Sequence, residues 1–205
     1  TAVVGRHSAR CTWFFAFNEV IWAFLERSRG ARPLFDDVIK VGPWAEEEIV
    51  RLIDMRCHQA GISPDFRHVM ENLPADADDD DRAEALAKVT AGYYRMIWDY
   101  SGGNAGVALH TWRRLLGVDD TGSICVERFV PPDSRELDQL PDRAAFVLRA
   151  VLQLEPAGAD DVAAATMLRQ SEVDDVLRYG VAHGYFDKVG TRYRVTWGWF
   201  RPITR

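Results

Sequence analysis

The chain has 205 residues, 31 of them acidic and 25 basic, for a formal net charge of −6. With 47% hydrophobic and 27% charged residues it reads as globular, not disordered, collagenous or coiled-coil. At roughly 100–200 residues per domain it has room for one large domain or two small ones. No stretch approaches the roughly 18 apolar residues of a membrane span, and no signal peptide marks its start.

Residues 1–4 look like the end of a helix. Cys11–Phe17 is a continuously apolar, aromatic-rich run, the pattern of a strand buried on both faces of a parallel sheet. Such a strand needs neighbours, so the chain is expected to begin near the end of an α/β domain. Val20–Arg29 has helical spacing, with Ile21, Trp22, Phe24 and Leu25 on its apolar side, and Pro33 ends it. Phe35–Val41 reads as a second short strand. After a turn at Gly42-Pro43-Trp44, Glu46, Glu47 and Glu48 fill a first helical turn, where the helix dipole favours carboxylates, and Gly61 stops that helix. Ser63-Pro64-Asp65 then caps a short helix through Met70.

Five aspartates between Asp76 and Asp81 read as a solvated loop or helix entrance, since adjacent aspartates do not imply chelating geometry. Arg82–Tyr100 is helical, Ser101-Gly102-Gly103-Asn104 breaks it, and Gly106–Leu116 is the next helix. Ile124–Val130 is extended and Pro131-Pro132 a linker. Helices follow at Leu140–Leu154, Asp160–Leu168 and Ser171–Gly184, the last capped by Ser171 with Asp174 in a box-like arrangement. A hairpin over Tyr185–Trp197 turns near Gly190. Three helices and a hairpin are in winged-helix order, and the fold class is mainly α with a small β component.

Charge is uneven along the chain. Residues 1–40 hold 6 basic and 4 acidic side chains, residues 41–140 hold 10 and 19, and residues 141–205 hold 9 and 8. Cys11, Cys57 and Cys125 stand in no metal-ligand spacing and read as reduced, buried thiols in a cytoplasmic compartment.

Together these segments resemble the C-terminal half of an AAA+ or STAND-type ATPase of the origin-recognition and initiator group. Four features in the family's order carry the likeness. Thr12–Asn18, an apolar strand ending in a polar residue, is similar to the sensor-1 strand. Arg27, Arg29 and Arg32 lead through Phe35–Glu48 as the family's sheet passes into its helical lid. Trp98-Asp-Tyr-Ser-Gly-Gly-Asn-Ala-Gly-Val-Ala-Leu-His110 resembles the Gly-Asn-Pro lid motif, with Ala105 where proline is usual. The winged-helix order follows.

The resemblance implies three regions: residues 1–44 as the remnant of the α/β core, 45–130 as the helical lid and 131–205 as the winged helix. It implies ATP or ADP with Mg²⁺ in the parent protein, and an upstream AAA+ core as neighbour, with a homo-oligomer open. The phosphate loop G-x-x-x-x-G-K-[ST] is absent, as is an apolar strand ending in paired acids. Without backbone amides, Lys and Mg²⁺ to hold phosphates, the chain alone is expected neither to hydrolyse ATP nor to hold nucleotide tightly.

The same likeness gives the candidate sites. Asn18 orients the attacking water or contacts the γ-phosphate, or else caps the following helix. Arg27, Arg29 and Arg32 include a trans-acting arginine finger, or are solvent-facing helix-end arginines. Gly102, Gly103 and Asn104 form a tight junction whose following helix start approaches the nucleotide. Arg113 and Arg114 are the sensor-2 candidates. His58, His68 and His110 have no partner at ligand spacing, and no nucleophile arrangement stands out.

The third helix of the winged-helix region carries Glu172, Asp174 and Asp175 against Arg178, which would repel phosphate. DNA or partner contact therefore falls to Lys188, Arg192, Arg194 and Arg201. Trp197, Trp199 and Phe200 form core or an interaction surface. The chain is thus expected to couple nucleotide state to a protein or DNA partner. Its rivals are a stand-alone winged-helix DNA-binding transcriptional regulator and a non-enzymatic interaction module.

Overall fold

Helices form where apolar residues recur at helical spacing and the ends are capped. In a computed structural model describing residues 11–17, 22, 25–28, 35–70 and 78–204, 59% of the described residues are helix and 10% strand, the mainly α composition expected. The chain divides into two units between Ile39 and Lys40. Pro43 and Trp44 fall in the second unit.

The two strands expected at Cys11–Phe17 and Phe35–Val41 do not form. Residues 11–17 and 37–41 carry no strand, and Cys11 is exposed where a buried thiol was expected. The alternation of extended backbone survives: Trp13, Phe15 and Phe17 succeed one another with ring centroids 6.4 and 6.3 Å apart. Phe35 lies 5.4 Å from Phe15 and 5.9 Å from Phe17. Phe14, of opposite parity, is 89% exposed. A strand is completed by a ladder partner, and none among the described residues provides one.

The second unit holds two hydrophobic cores. The first begins with α1 (Glu46–Ala60), where Glu48 accepts from the amide of Ala45 at 2.8 Å and Gly61 closes the helix at φ 66°. Ile49, Ile53 and Cys57, four residues apart, are its buried stripe. A 3₁₀ turn (Arg67–Val69) follows, entered through Asp65, whose Oδ1 accepts from the amide of Arg67 at 2.9 Å. Helix α2 (Asp79–Ser101) starts within the aspartate run, where Asp78 accepts from the amide of Asp81. Asp78–Asp81 are therefore a helix entrance, and Asp76 lies outside the described residues.

Helix α3 (Ala105–Leu115) runs into β1 (Leu116–Val118), antiparallel to β2 (Ile124–Val126). Phe66 stacks on Trp112 at 6.0 Å and meets Tyr93 and Tyr94 edge-on. Fully buried Ile49, Ile53, Ile97 and Val126 fill this core, each contributing roughly 1.5–3 kcal/mol by leaving water. Tyr94 donates to Asp54 at 2.9 Å, tying α2 to α1.

The second core starts after the short α4 (Arg135–Asp138), with α5 (Asp142–Leu154), β3 (Ala157–Gly158), α6 (Ala159–Thr166) and α7 (Gln170–Ala182). Strands β4 (Phe186–Val189) and β5 (Arg192–Val195) close a hairpin on Gly190 at φ 62°. Strand β3 pairs with the outer edge of β5, so the sheet order is β3-β5-β4. Fully buried Val147, Val151, Val162, Val173 and Leu177 pack against Tyr185 and Phe186. Gly180 is in close contact with the Phe186 ring, which admits α7 onto the sheet. The cap of α7 is not the expected Ser171–Asp174 pair: Glu172 accepts from the amide of Arg169 at 3.2 Å. A final helix, α8 (Trp197–Thr204), follows the hairpin. Among the described residues no helix is long and apolar enough to cross a membrane.

Candidate functional site

The Gly-Gly-Asn segment is a reversal between two helices. Gly102 at φ 58° and Gly103 at φ 74° take the left-handed backbone that turns the chain off the end of α2. Asn104 then returns to extended geometry, and its Oδ1 accepts from the amides of Gly106 and Val107 at 2.9 and 3.1 Å. It is the N-cap of α3.

Gly103 is held on one side by the entry into α1. The amide of Trp44 donates to the Gly103 carbonyl at 2.9 Å, and the Trp98 indole donates to the Trp44 carbonyl at 2.9 Å. The approach is so close that a Cβ on Gly103 would stand 2.6 Å from the Trp44 oxygen.

The other side is covered by α8. The Trp197 ring lies against Gly106, where a Cβ would come within 2.9 Å of Cη2. One turn further on, the Arg201 guanidinium donates to the backbone carbonyl of Asp99. It stands 3.6 Å from the Asp99 carboxylate with its side chain 18% exposed, and 5.2 Å over the Tyr100 ring. A cation at the last turn of α2 meets the negative end of the helix dipole, and the ring face attracts it as well. Gly198 passes alongside α3, where a Cβ would sit 3.4 Å from Arg114 and 3.5 Å from His110. Burial above all, then Arg114 and Arg113, holds the His110 imidazole below its usual pKa, while Asp187 on β4 acts in the opposite sense.

The expected site residues are thus only partly brought together. Gly102, Gly103 and Asn104 form one junction. Arg113 and Arg114 are exposed in the last turn of α3, about 14 Å along the helix axis from Asn104 at 1.5 Å per residue. Arg27 is exposed on helical residues 25–28, and Asn18, Arg29 and Arg32 lie outside the described residues. In the hairpin, Arg192 donates to the Pro156 carbonyl at 2.7 Å and stands 3.8 Å from Asp161. Arg194 bonds to Asp187 at 3.1 Å, and Lys188 lies 5.5 Å over the Tyr193 ring. Arg201, expected to face a partner, is turned inward on α2. At the entrance of α7 a hydrogen bond from Arg169 holds the Glu172 carboxyl below its usual range.

Asn104 already accepts from the Gly106 and Val107 amides, and among the described residues no cluster of three His, Cys, Asp or Glu could hold a metal. The sequence names Trp44 only in a turn and Asp99 only in a motif, and gives Trp197 as core or an interaction surface, without bringing the three to one junction. The Trp197–Arg201 spacing was the readable signal, because residues four apart share a helix face. Comparison with protein-family models, with curated proteins and with solved structures returns no match for this chain.

Proposed function

We propose that residues 45–130 act as the helical lid and residues 131–205 as the winged-helix unit of an AAA+ or STAND-type ATPase in the cytoplasm. Their role is to couple the nucleotide state of a core supplied elsewhere to a partner. One observation carries the reading: two left-handed glycines and a capping Asn present the start of α3 beside the chain's entry into the lid. The three helices and hairpin, with β3 added to β5, follow directly.

The partner is a protein rather than DNA. Arg192 and Arg194 face carboxylates of their own domain, Arg201 is turned inward, and α7 opens with an acidic side chain. Phosphate contact depends on free cationic groups displacing counterions, and of the hairpin cations Arg192 and Arg194 face carboxylates while Lys188 lies over the Tyr193 ring.

The test is Mg²⁺-ATP and Mg²⁺-ADP binding by the polypeptide that carries this chain behind a phosphate loop, and by the 205 residues alone. Saturable binding and hydrolysis are expected in the first and no tight binding in the second. Arg27→Ala, Arg29→Ala and Arg32→Ala, made one at a time, then identify any arginine finger by lost hydrolysis. A parent that binds neither nucleotide overturns the reading. Salt-sensitive retention of duplex DNA by the 205 residues would favour the stand-alone regulator instead.

A further inference from the structure

Helix α8 has two working faces. Trp199, Phe200 and Ile203 pack against the second core, with Trp199 edge-on to Tyr185 at 4.7 Å. Trp197, Gly198 and Arg201 face the first core, on α3 and the end of α2. Helical spacing produces this split, since 197 and 201 lie one turn apart and 199 and 203 lie nearly opposite. Among the described residues, the packing of α8 on α3 is the extensive contact between elements of the two cores.

We propose that α8 is a strap by which the C-terminal unit sets the position of the Gly-Gly-Asn junction, with Trp197 and Arg201 as its positioning residues. Two consecutive glycines have little backbone preference of their own, so the junction takes its geometry from what holds it. Trp44 holds it from the α1 side. Arg201 fixes the last turn of α2 before the glycines, and Trp197 fixes the first turn of α3 after Asn104. A partner that tilts the C-terminal unit carries α8 with it, and the two contacts pass that movement to the start of α3. The bearing of this on nucleotide rests on the lid reading above; the strap itself does not.

Amide hydrogen exchange on the 205-residue chain tests it without nucleotide. Trp197→Ala and Arg201→Ala are each expected to raise exchange at residues 103–107 by about tenfold or more, leaving α5, α6 and α7 as protected as before. Trp197→Phe, which keeps a ring, restores the protection. Gly106→Ala approaches from the other side: its methyl occupies the space of the Trp197 ring, so exchange across residues 197–204 rises even though alanine strengthens α3 itself. Unchanged exchange at residues 103–107 in both α8 variants, or an α8 that stays fully protected in Gly106→Ala, overturns the strap. If the α8 variants lose protection throughout, Gly106→Ala decides alone. Failure of the parent to bind nucleotide overturns the lid reading and leaves the strap standing.

Discussion

Gly102 and Gly103 are neighbours of the same backbone handedness, at φ 58° and 74°, yet a methyl group meets different surroundings at each. At Gly102 nothing stands within 4 Å of an added Cβ, so Gly102→Ala carries only left-handed strain, about 1 kcal/mol. At Gly103 the same strain is joined by a backbone oxygen at 2.6 Å, which can move only by shifting the start of α1. Gly103→Ala is expected to cost about 2–4 kcal/mol. Urea denaturation of the two variants checks the ordering, and equal losses would sink it. Asn104 adds a polar counterpart. Asn104→Ala leaves the amides of Gly106 and Val107 without their acceptor and should cost about 1 kcal/mol, whereas Asn104→Asp, accepting the same amides at the positive end of the helix, should cost almost nothing.

Among the elements, the contact of α3 with α8 places a titratable group at an interface. His110 lies half-buried beside Gly198, its pKa held down by burial and then by Arg114 and Arg113. The folded value is below the roughly 6.5 of an unfolded chain, so the unfolded state takes up the proton first as pH falls. This contribution to stability is complete above about pH 7 and is lost as pH drops through the unfolded pKa towards the lower folded one. The paired carboxylates Asp65, Asp119, Asp133 and Glu172, all held low, act at more acid pH. Urea midpoints between about pH 7.5 and 5.5 should fall in the wild type and stay flatter in His110→Gln. The same slope in both would refute the assignment.

What could be read from the sequence at this scale was what is local. The stripe Ile49, Ile53 and Cys57, the stop at Gly61 and the reversal at Gly102-Gly103 depend on residues within a turn or two of one another. So does the hairpin turn at Gly190. Cys11–Phe17 and Phe35–Val41 have the composition of strands, but a strand is completed by a remote partner that composition does not name. Strand β1 went unseen because it continues α3 without a break, and it exists through pairing with β2. The cap of α7 moved two residues towards the N-terminus because Glu172, Asp174 and Asp175 compete within one turn. Arg192, Arg194 and Arg201 were legible as charges only. Their partners Asp161, Asp187 and Asp99 are distant in the chain or across a turn, and tertiary packing decides which they meet.

For the whole molecule, the uneven charge and the two cores bear on the same question of how the second unit holds together. The acidic excess lies in residues 41–140, while residues 141–205 are nearly balanced at 9 basic and 8 acidic side chains. Opposed net charge of any size therefore does not draw the cores together; among the described residues their extensive contact is that of α8 with α3, through one tryptophan, one arginine and the close passage of Gly198. Such a joint makes two cores unfold as one body only while its energy is comparable with the difference in their own stabilities. The amides of Thr111 in α3 and Val151 in α5 report the two cores separately. In the wild type their exchange protection should be lost at the same urea concentration. In Trp197→Ala the two midpoints should part, because the ring that joins α8 to α3 is gone while the α8 residues facing the second core remain. Separate midpoints in the wild type, or coincident ones in the variant, would mean that the cores communicate by a route other than α8.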